Sequence, residues 1–522
     1  MLRASLLILL CVQLVPQVEP ARILGIFPMP SISHQVVFRA LMMELAKRGH
    51  ELVIITPNPA LPKNRPPDNI TEIDTSEAYQ WFGRIFKDFG NLFKRGAIID
   101  IDRMLNDEAI TSMLDIVLRE FDLPEVQKLL KDKSLKFDLV FLEAMGNYHL
   151  VASHIFNAPV ILFSSFGGYQ EHLEAMGAVS VHPLYYPSFY RNKIKNLSFF
   201  EKIIQIYLEY KIYHFERLKR QKENEALRER FGPDVPSIEE MEKNVQMLFL
   251  NSHPIFANNR PVPPSVVYLG ALHLQPVKEL PQDLKTYLDN SSRGVVYVSL
   301  GSNVRPSMMH REFLDVFLNA FEALPYDILW KFDGEDLPKL PKNVKVQKWF
   351  PQRDLLVHPK IKVFVTQGGL QSTDEAIASA VPLVGIPMMG DQWYNVNKYV
   401  ELGIGEELDS YTMTADDLVN AVNKVIANGS YKKNVERLRD VIRDQKEPPL
   451  ERAVWWTEHV LRHGGAHLRA ASAGVTWSEY LMADVIAVVT AAAILALALL
   501  VCTCRVIVRA THRSVTVKPK QS

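Results

Sequence analysis

Apolar residues fall in short unbroken blocks, spaced by stretches in which they recur every three or four positions. This is the pattern of buried strands alternating with amphipathic helices. The block Arg-Ile-Leu-Gly-Ile-Phe at residues 22–27 is the first strand, and a Pro- and Ser-containing turn follows over 28–33. From Gln35 the spacing becomes helical, with Val37, Leu41 and Leu45 on one face and Gly49 where a helix C-cap belongs. A second strand follows at 51–56. Strand, helix and strand in that order make a right-handed parallel unit, whose ligand side is the loops at the strand C-termini.

Runs at 137–142 and 159–163 continue this buried sheet, and residues 76–136 between them and the first unit read as mainly helical. A second helical insertion spans 199–231, with Phe200, Ile204, Leu208, Ile212 and Phe215 interleaved with Lys, Arg and Glu. Packing of that stripe against the domain is expected, with an acceptor wall or a membrane contact as the alternatives. Strands at 247–250 and 266–269 close the half, and the polar, Pro-containing stretch 273–293 reads as a linker. A second alternation then begins, with strands at 294–300, 328–332, 344–349, 361–366 and 382–386. The expected architecture is α/β, with two halves facing a cleft: residues 22–272 and 294–480, the latter including helices that return after its sheet.

The two ends change the picture. Met1-Leu2-Arg3, the apolar run from Ala4 to Val12 and the polar residues up to 21 have the layout of a secretory signal peptide, 1–21. Residues 485–504 carry no charged side chain and suffice to cross about 30 Å of hydrocarbon as a helix, so 481–504 is the expected membrane span. The tail 505–522 has Arg505, Arg509, Arg513, Lys518 and Lys520 and no acid, which places it in the cytosol and everything before the span in the lumen. Asn-x-Ser/Thr sites at Asn69, Asn196, Asn290 and Asn428 agree with that side. Lys518 and Lys520 resemble a dilysine retrieval signal, giving a single-pass type I protein of the endoplasmic reticulum membrane. The three cysteines, Cys11, Cys502 and Cys504, lie in the signal and the span, so the lumenal part folds without disulfides. With 59 basic and 59 acidic side chains the formal net charge is zero, which argues against a nucleic-acid partner.

The candidate chemistry is concentrated in Trp349-Phe-Pro-Gln352, Thr366-Gln367-Gly368-Gly369-Leu-Gln371-Ser372-Thr-Asp-Glu375 and Asp391-Gln392-Trp-Tyr-Asn395. Thr366-Gln-Gly-Gly ends a strand and opens a helix, where unpaired N–H groups and the positive end of the dipole favour a phosphate. The GxGxxG spacing of a dinucleotide site is missing, and Gly403-Ile-Gly405 reads as a helix ending before a strand.

These motifs, at these spacings, resemble the donor-site signature of the UDP-glycosyltransferase superfamily. The order of signal, two domains, anchor and basic tail resembles its animal membrane-bound branch. The resemblance implies a GT-B fold of two Rossmann-like domains and transfer of a hexose from a UDP-sugar donor to a small lipophilic acceptor. It implies no metal and no bound cofactor, the UDP-sugar being a co-substrate, and leaves a homo-oligomer open. On the same basis Trp349 stacks on uracil, Gln352 meets the nucleoside and Glu375 accepts from the ribose hydroxyls. Ser302, Gln367, Gly368 and Gly369 hold the diphosphate, Asp391 and Gln392 bind the sugar, and Gln371, Ser372 and Asn395 complete the donor contacts. Gln367 stands where the family usually has His, a form associated with arthropod members that take UDP-glucose, and Ala380 replaces a frequent glycine.

In the first half, His34 and Glu143 both follow strands and so face the cleft. A neutral imidazole can take an acceptor proton while a carboxylate on its other nitrogen fixes the tautomer. The family pattern puts its base at His34 and a supporting Asp at the position of Glu143. Two alternatives stand beside this reading: a metal-dependent transferase using Asp100-Ile-Asp102, and a membrane-anchored binding protein without turnover.

Overall fold

The computed structural model describes residues 19–62, 67–88, 107–179, 181–189, 191, 193–194, 196–335 and 339–515. The signal segment to residue 18, the Asp100-Ile-Asp102 tripeptide and the tail lysines 518 and 520 lie outside them.

Two parallel sheets organise the first unit, which extends to Ala470. The first sheet contains β1 (Arg22–Ile26), β2 (Glu51–Thr56), β3 (Ile70–Asp74), β4 (Leu139–Glu143), β5 (Val160–Ser164), β6 (Val245–Leu250) and β7 (Val266–Tyr268). Their order is β3-β2-β1-β4-β5-β6-β7, so the winding reverses between β1 and β4. The second sheet contains β8 (Val295–Ser299), β9 (Asp327–Lys331), β10 (Val344–Gln347), β11 (Ile361–Thr366), β12 (Leu383–Gly385) and β13 (Gly405–Glu407). Its order, β10-β9-β8-β11-β12-β13, reverses between β8 and β11. At such a reversal the flanking loops diverge to opposite faces and leave a crevice beyond the strand ends, the ligand position of doubly wound sheets.

The unbroken apolar blocks arise because both faces of each sheet are covered. In β4, Val140 and Leu142 enter one core while Leu139 and Phe141 enter the other. Val296 and Val298 of β8 alternate in the same way with Val295 and Tyr297. Helix α1 (Ile32–Lys47) covers one face of the first sheet through Val37, Phe38, Leu41 and Leu45, and Gly49 beyond its end takes the left-handed φ of 96° that ends such helices.

Three features depart from the sequence-based expectations. The edge strand β3 was not among the expected runs, whereas the helix ending at Leu402 and the strand that follows it, β13, match the reading of Gly403-Ile-Gly405. The stretch 273–293 holds a helix, Gln282–Asn290, whose Leu284 and Leu288 join the core of the second half. Helix α2 (Asp107–Asp122) packs against the long α3 (Phe199–Phe231), but α3 does not bury its apolar stripe throughout. Phe200 and Ile204 remain 75% and 52% exposed, whereas Ile212 is buried and Phe215 faces a cavity. The helix Pro449–His463 is one of the helices expected to return after the second sheet, and it packs Ala453, Val454 and Val460 into the core of the first half beneath α1.

The residues from Ala471 form a separate unit. It contains the helix Ala483–Val515, within which Ala483–His512 is long and apolar enough to cross a membrane.

Candidate active site

Both sheet reversals carry expected site residues. At the first, the chain leaves β1 through the turn at 28–31 and enters α1, which places His34 in the first helical turn. Glu143 is the last residue of β4, the strand next to β1 across the reversal. The His34 Nδ1 lies 2.7 Å from Glu143 Oε1, and Glu143 Oε2 accepts the Met29 backbone N–H at 3.0 Å. An ionised carboxylate only accepts, so Nδ1 carries the ring proton and Nε2 keeps its lone pair.

That pair opens on a cavity of about 390 Å³. Its walls are mainly apolar, with Met113, Leu114 and Val117 from α2, Phe215 from α3, and Phe166 and Phe189 from loops. Asp391 and Gln392 of the second half line the same space. Burial raises the Asp391 carboxyl above its ordinary range, opposed by a hydrogen bond from Asn395 and by the charge of His34 when that ring is protonated. His34, Glu143 and the two side chains expected at the sugar are therefore brought together across the cleft.

At the second reversal, Gly368 adopts φ 92° and Gly369 is the N-cap of helix α4 (Leu370–Ala378), whose first N–H groups are unpaired within the helix. Gln367 lies beside them, 6% exposed, its Oε1 accepting from the Thr366 hydroxyl at 3.0 Å. Its amide is packed onto Gly301, where a Cβ would come within 2.2 Å of Nε2 and where φ is 81°. The turn carrying Ser302 and the diphosphate segment are thus fitted to each other through a glycine.

Gln352, expected at the nucleoside, is the centre of a hydrogen-bond cluster. Its Nε2 donates to Glu375 Oε2 at 2.7 Å and to Ser372 Oγ at 3.0 Å, and its Oε1 accepts from the Tyr297 hydroxyl at 3.0 Å. Burial pushes the Glu375 carboxyl up to about 7, against the Gln352 hydrogen bond and the charge of Arg353. Trp349 is 59% exposed, so its indole is a surface platform and not a core residue. Lys331, which the sequence reading did not single out, places its ammonium 4.2 Å from the centroid of that ring and donates to the Gly301 carbonyl at 2.9 Å. A charged residue closing a buried strand was its only signal.

Three donor-motif side chains have structural partners. Gln392 Oε1 accepts the backbone N–H groups of Met388 and Met389, both at 2.9 Å, which leaves its NH2 as the part available to a sugar. The Asn395 NH2 donates to Gly368 O at 2.9 Å and to Asp391 Oδ2 at 2.8 Å, tying the glycine turn to the sugar carboxyl. Gln371 reaches the other half, donating to Ser165 O at 2.8 Å. Ser31 and Asn303 make a second such bridge at 3.1 Å.

Two parallel sheets with a cleft at their reversals define a glycosyltransferase of GT-B type. A family model described as "UDP-glucoronosyl and UDP-glucosyl transferase" matches residues 22–518, and the chain belongs to that family. It is 42% identical over 487 residues to the ecdysteroid UDP-glucosyltransferase of Lymantria dispar multicapsid nuclear polyhedrosis virus, covering 92% of this chain and 95% of that one. It is 32% identical to UDP-glucosyltransferase 2 of Dactylopius coccus, covering 89% of each. Among solved structures, a UDP-glucose: anthocyanidin 3-O-glucosyltransferase in complex with UDP shares the fold at TM-score 0.55 and 16% identity, covering 85% of this chain and 99% of that one. The calicheamicin glycosyltransferase CalG4 does so at TM-score 0.52 and 18% identity, covering 85% of this chain and 99% of that one. The chain is a UDP-sugar glycosyltransferase with the fold that the motifs implied.

Proposed function

We propose that this enzyme transfers glucose from UDP-glucose, with inversion and without a metal, to a hydroxyl of a small lipophilic acceptor. The observation that carries this reading is the His34–Glu143 pair, hydrogen-bonded at 2.7 Å and opening on a largely apolar cavity that Asp391 and Gln392 also line. The acceptor hydroxyl gives its proton to His34 Nε2 as its oxygen bonds to the anomeric carbon from the face opposite the diphosphate. The bond from that carbon to the phosphate oxygen breaks in the same step, and UDP leaves with the electron pair. Glu143 stabilises the imidazolium, and the N–H groups of Gly368, Gly369 and the start of α4, with Ser302, stabilise the departing diphosphate.

Glucose is favoured over glucuronic acid for two reasons. The neutral Gln367 offers no cation to a second acidic group, and the Asp391 carboxyl at the sugar position is unfavourable to a sugar carboxylate. The viral relatives named as ecdysteroid UDP-glucosyltransferases support a glucosyl donor and make a steroid-like lipophile a fitting acceptor. The C-terminal helix anchors the enzyme in the endoplasmic reticulum membrane, with the two-domain part lumenal.

Membranes containing the full chain, incubated with a mixed phenol and alcohol library and either UDP-glucose or UDP-glucuronic acid, test the reading by the masses of the conjugates. Hexose conjugates that form equally well in EDTA are expected. Conjugates formed only from UDP-glucuronic acid, or only with added metal, would refute it.

A further inference from the structure

The cavity beside His34 is not uniformly apolar. Two polar groups are set into its wall where α2 and α3 pack together, away from any role in the transfer step. Glu120, near the end of α2, is 2% exposed, and neither of its carboxyl oxygens has a hydrogen-bond partner among the described residues. From α3, the Lys219 ammonium lies 2.9 Å from Glu216 Oε2 and 2.5 Å from Glu171 Oε1, and Glu223 lines the cavity beside them.

An unpartnered buried carboxyl is costly to a folded protein, and a residue needed only for packing would be apolar. Burial, with the Glu143 carboxylate adding to it, pushes the Glu120 carboxyl well above its ordinary range, toward the uncharged acid, which can both donate and accept. Burial and the Glu171 charge push Glu216 up to about 7, while burial of Lys219 is outweighed by its carboxylate neighbours, which hold it charged. Among the described residues, five carboxyl groups line the cavity (Glu120, Glu143, Glu216, Glu223 and Asp391) against one ammonium, Lys219. The imidazoles there are His34, held by Glu143, and the buried His149, which burial drives down to about 3 and so keeps neutral.

We propose that Glu120, together with the Lys219–Glu216 pair in the same wall, forms a polar acceptor subsite that selects uncharged lipophiles bearing a second hydroxyl or carbonyl and rejects carboxylates. The acceptor then has three parts: a reacting hydroxyl at His34, an apolar body along α2 and the Phe residues, and a second oxygen hydrogen-bonded by this wall. An anionic acceptor would have to shed its hydration in a largely apolar cavity, where the one ammonium in this wall, Lys219, is already engaged by Glu171 and Glu216. This inference rests on the glucosyltransferase reading and narrows its acceptor class.

The test uses membranes containing the full chain, UDP-glucose and three matched phenols: a para-alkylphenol, its ω-hydroxyalkyl counterpart and its ω-carboxyalkyl counterpart. The hydroxyalkyl phenol is expected to exceed the alkylphenol in kcat/KM by about tenfold, through KM and not kcat, the scale of one net hydrogen bond. The carboxyalkyl phenol is expected to fall below both. Glu120→Leu should reduce the hydroxyalkyl preference to near unity, and Glu120→Gln, which can still donate and accept, should retain part of it. UDP affinity measured on each variant shows that the donor half is folded. If Glu120→Leu does not fold, Glu120→Gln together with Lys219→Met supplies the comparison, the latter lowering the preference. Equal kcat/KM for all three phenols in the wild type, or an unchanged preference in a variant that binds UDP, would overturn the subsite. No turnover of any phenol or alcohol would instead overturn the glucosyltransferase reading beneath it.

Discussion

Gln352 donates a 2.7 Å hydrogen bond to Glu375, the carboxyl assigned to the ribose, and holds it at the edge of the second sheet in a setting whose burial pushes it up to about 7. Ribose hydroxyls are donors and bind best to the ionised carboxylate, whose fraction grows as pH rises through that value. UDP affinity is therefore expected to increase between about pH 6 and about pH 8, after the ionisation of UDP itself is taken into account. In Glu375→Gln, where no group titrates, that increase should vanish. Isothermal titration of the two proteins across the range checks this, and identical pH profiles would remove Glu375 from the ribose.

Gly301 tests the fit between the two halves of the diphosphate site. Alanine there would put its Cβ within 2.2 Å of the Gln367 amide nitrogen at a backbone φ of 81°, so either the amide or the turn must move. Gly301→Ala should raise the KM for UDP-glucose by roughly tenfold or more and cost on the order of 1–2 kcal/mol of stability from the left-handed conformation alone. Ala380 already occupies such a conformation, at φ 54°, which explains why glycine is frequent there. Its methyl is buried in the core of the second half, so Ala380→Gly trades relief of strain of about 1–2 kcal/mol against loss of about 0.8 kcal/mol of burial and a more flexible unfolded chain. A near-neutral effect in thermal denaturation is expected.

The sugar contacts need a substitution that respects the loop. Gln392→Ala would remove the acceptor of two backbone N–H groups along with the amide donor. Gln392→Glu keeps the acceptor for the two backbone N–H groups and replaces the NH2 donor by a carboxyl oxygen, so it tests the sugar contact with the loop's hydrogen bonds in place. Turnover with UDP-glucose should fall by about one to two orders of magnitude, while UDP alone binds as in the wild type. Glu375→Ala should show the reverse pattern, and parallel losses of UDP affinity in both variants would break the assignment.

The basic C-terminal tail supplies a separate expectation. Serine at both Lys518 and Lys520 should release the protein from the endoplasmic reticulum, read out as acquisition of Golgi-type glycan processing. Wild-type protein already at the plasma membrane would contradict retention by these lysines.

The layout of the two sheets was legible because strands covered on both faces have no polar face to interrupt them, as in Leu139-Val-Phe-Leu142. The edge strand Ile70–Asp74 alternates Thr, Glu and Asp with its apolar residues and sits on the rim of the sheet, so it carried no comparable block. The three stretches of the donor motif stood out in the sequence because each is short and contiguous and follows the end of a strand, at β10, β11 and β12. His34 and Glu143 could be placed at strand ends, but their meeting depends on β1 and β4 being neighbours, which is a property of strand order. Glu120 and Lys331 were not seen at all. One looks like any acid on an amphipathic helix and the other like any lysine at a strand end, and only packing brings them to the cavity and to Trp349. The exposed Phe200 and Ile204 show the opposite failure, an apolar stripe that periodicity alone would bury.

The central claim is that His34 takes the acceptor proton during an inverting attack, and one measurement addresses it: turnover and product stereochemistry of His34→Ala beside the wild type, with an alcohol acceptor and UDP-glucose. The wild type should give the β-glucoside from the α-linked donor. The variant should turn over roughly 10² to 10⁴ times more slowly with UDP affinity nearly unchanged, and Glu143→Gln should fall between the two. An α-linked product, or a His34→Ala enzyme with undiminished turnover, would contradict the account.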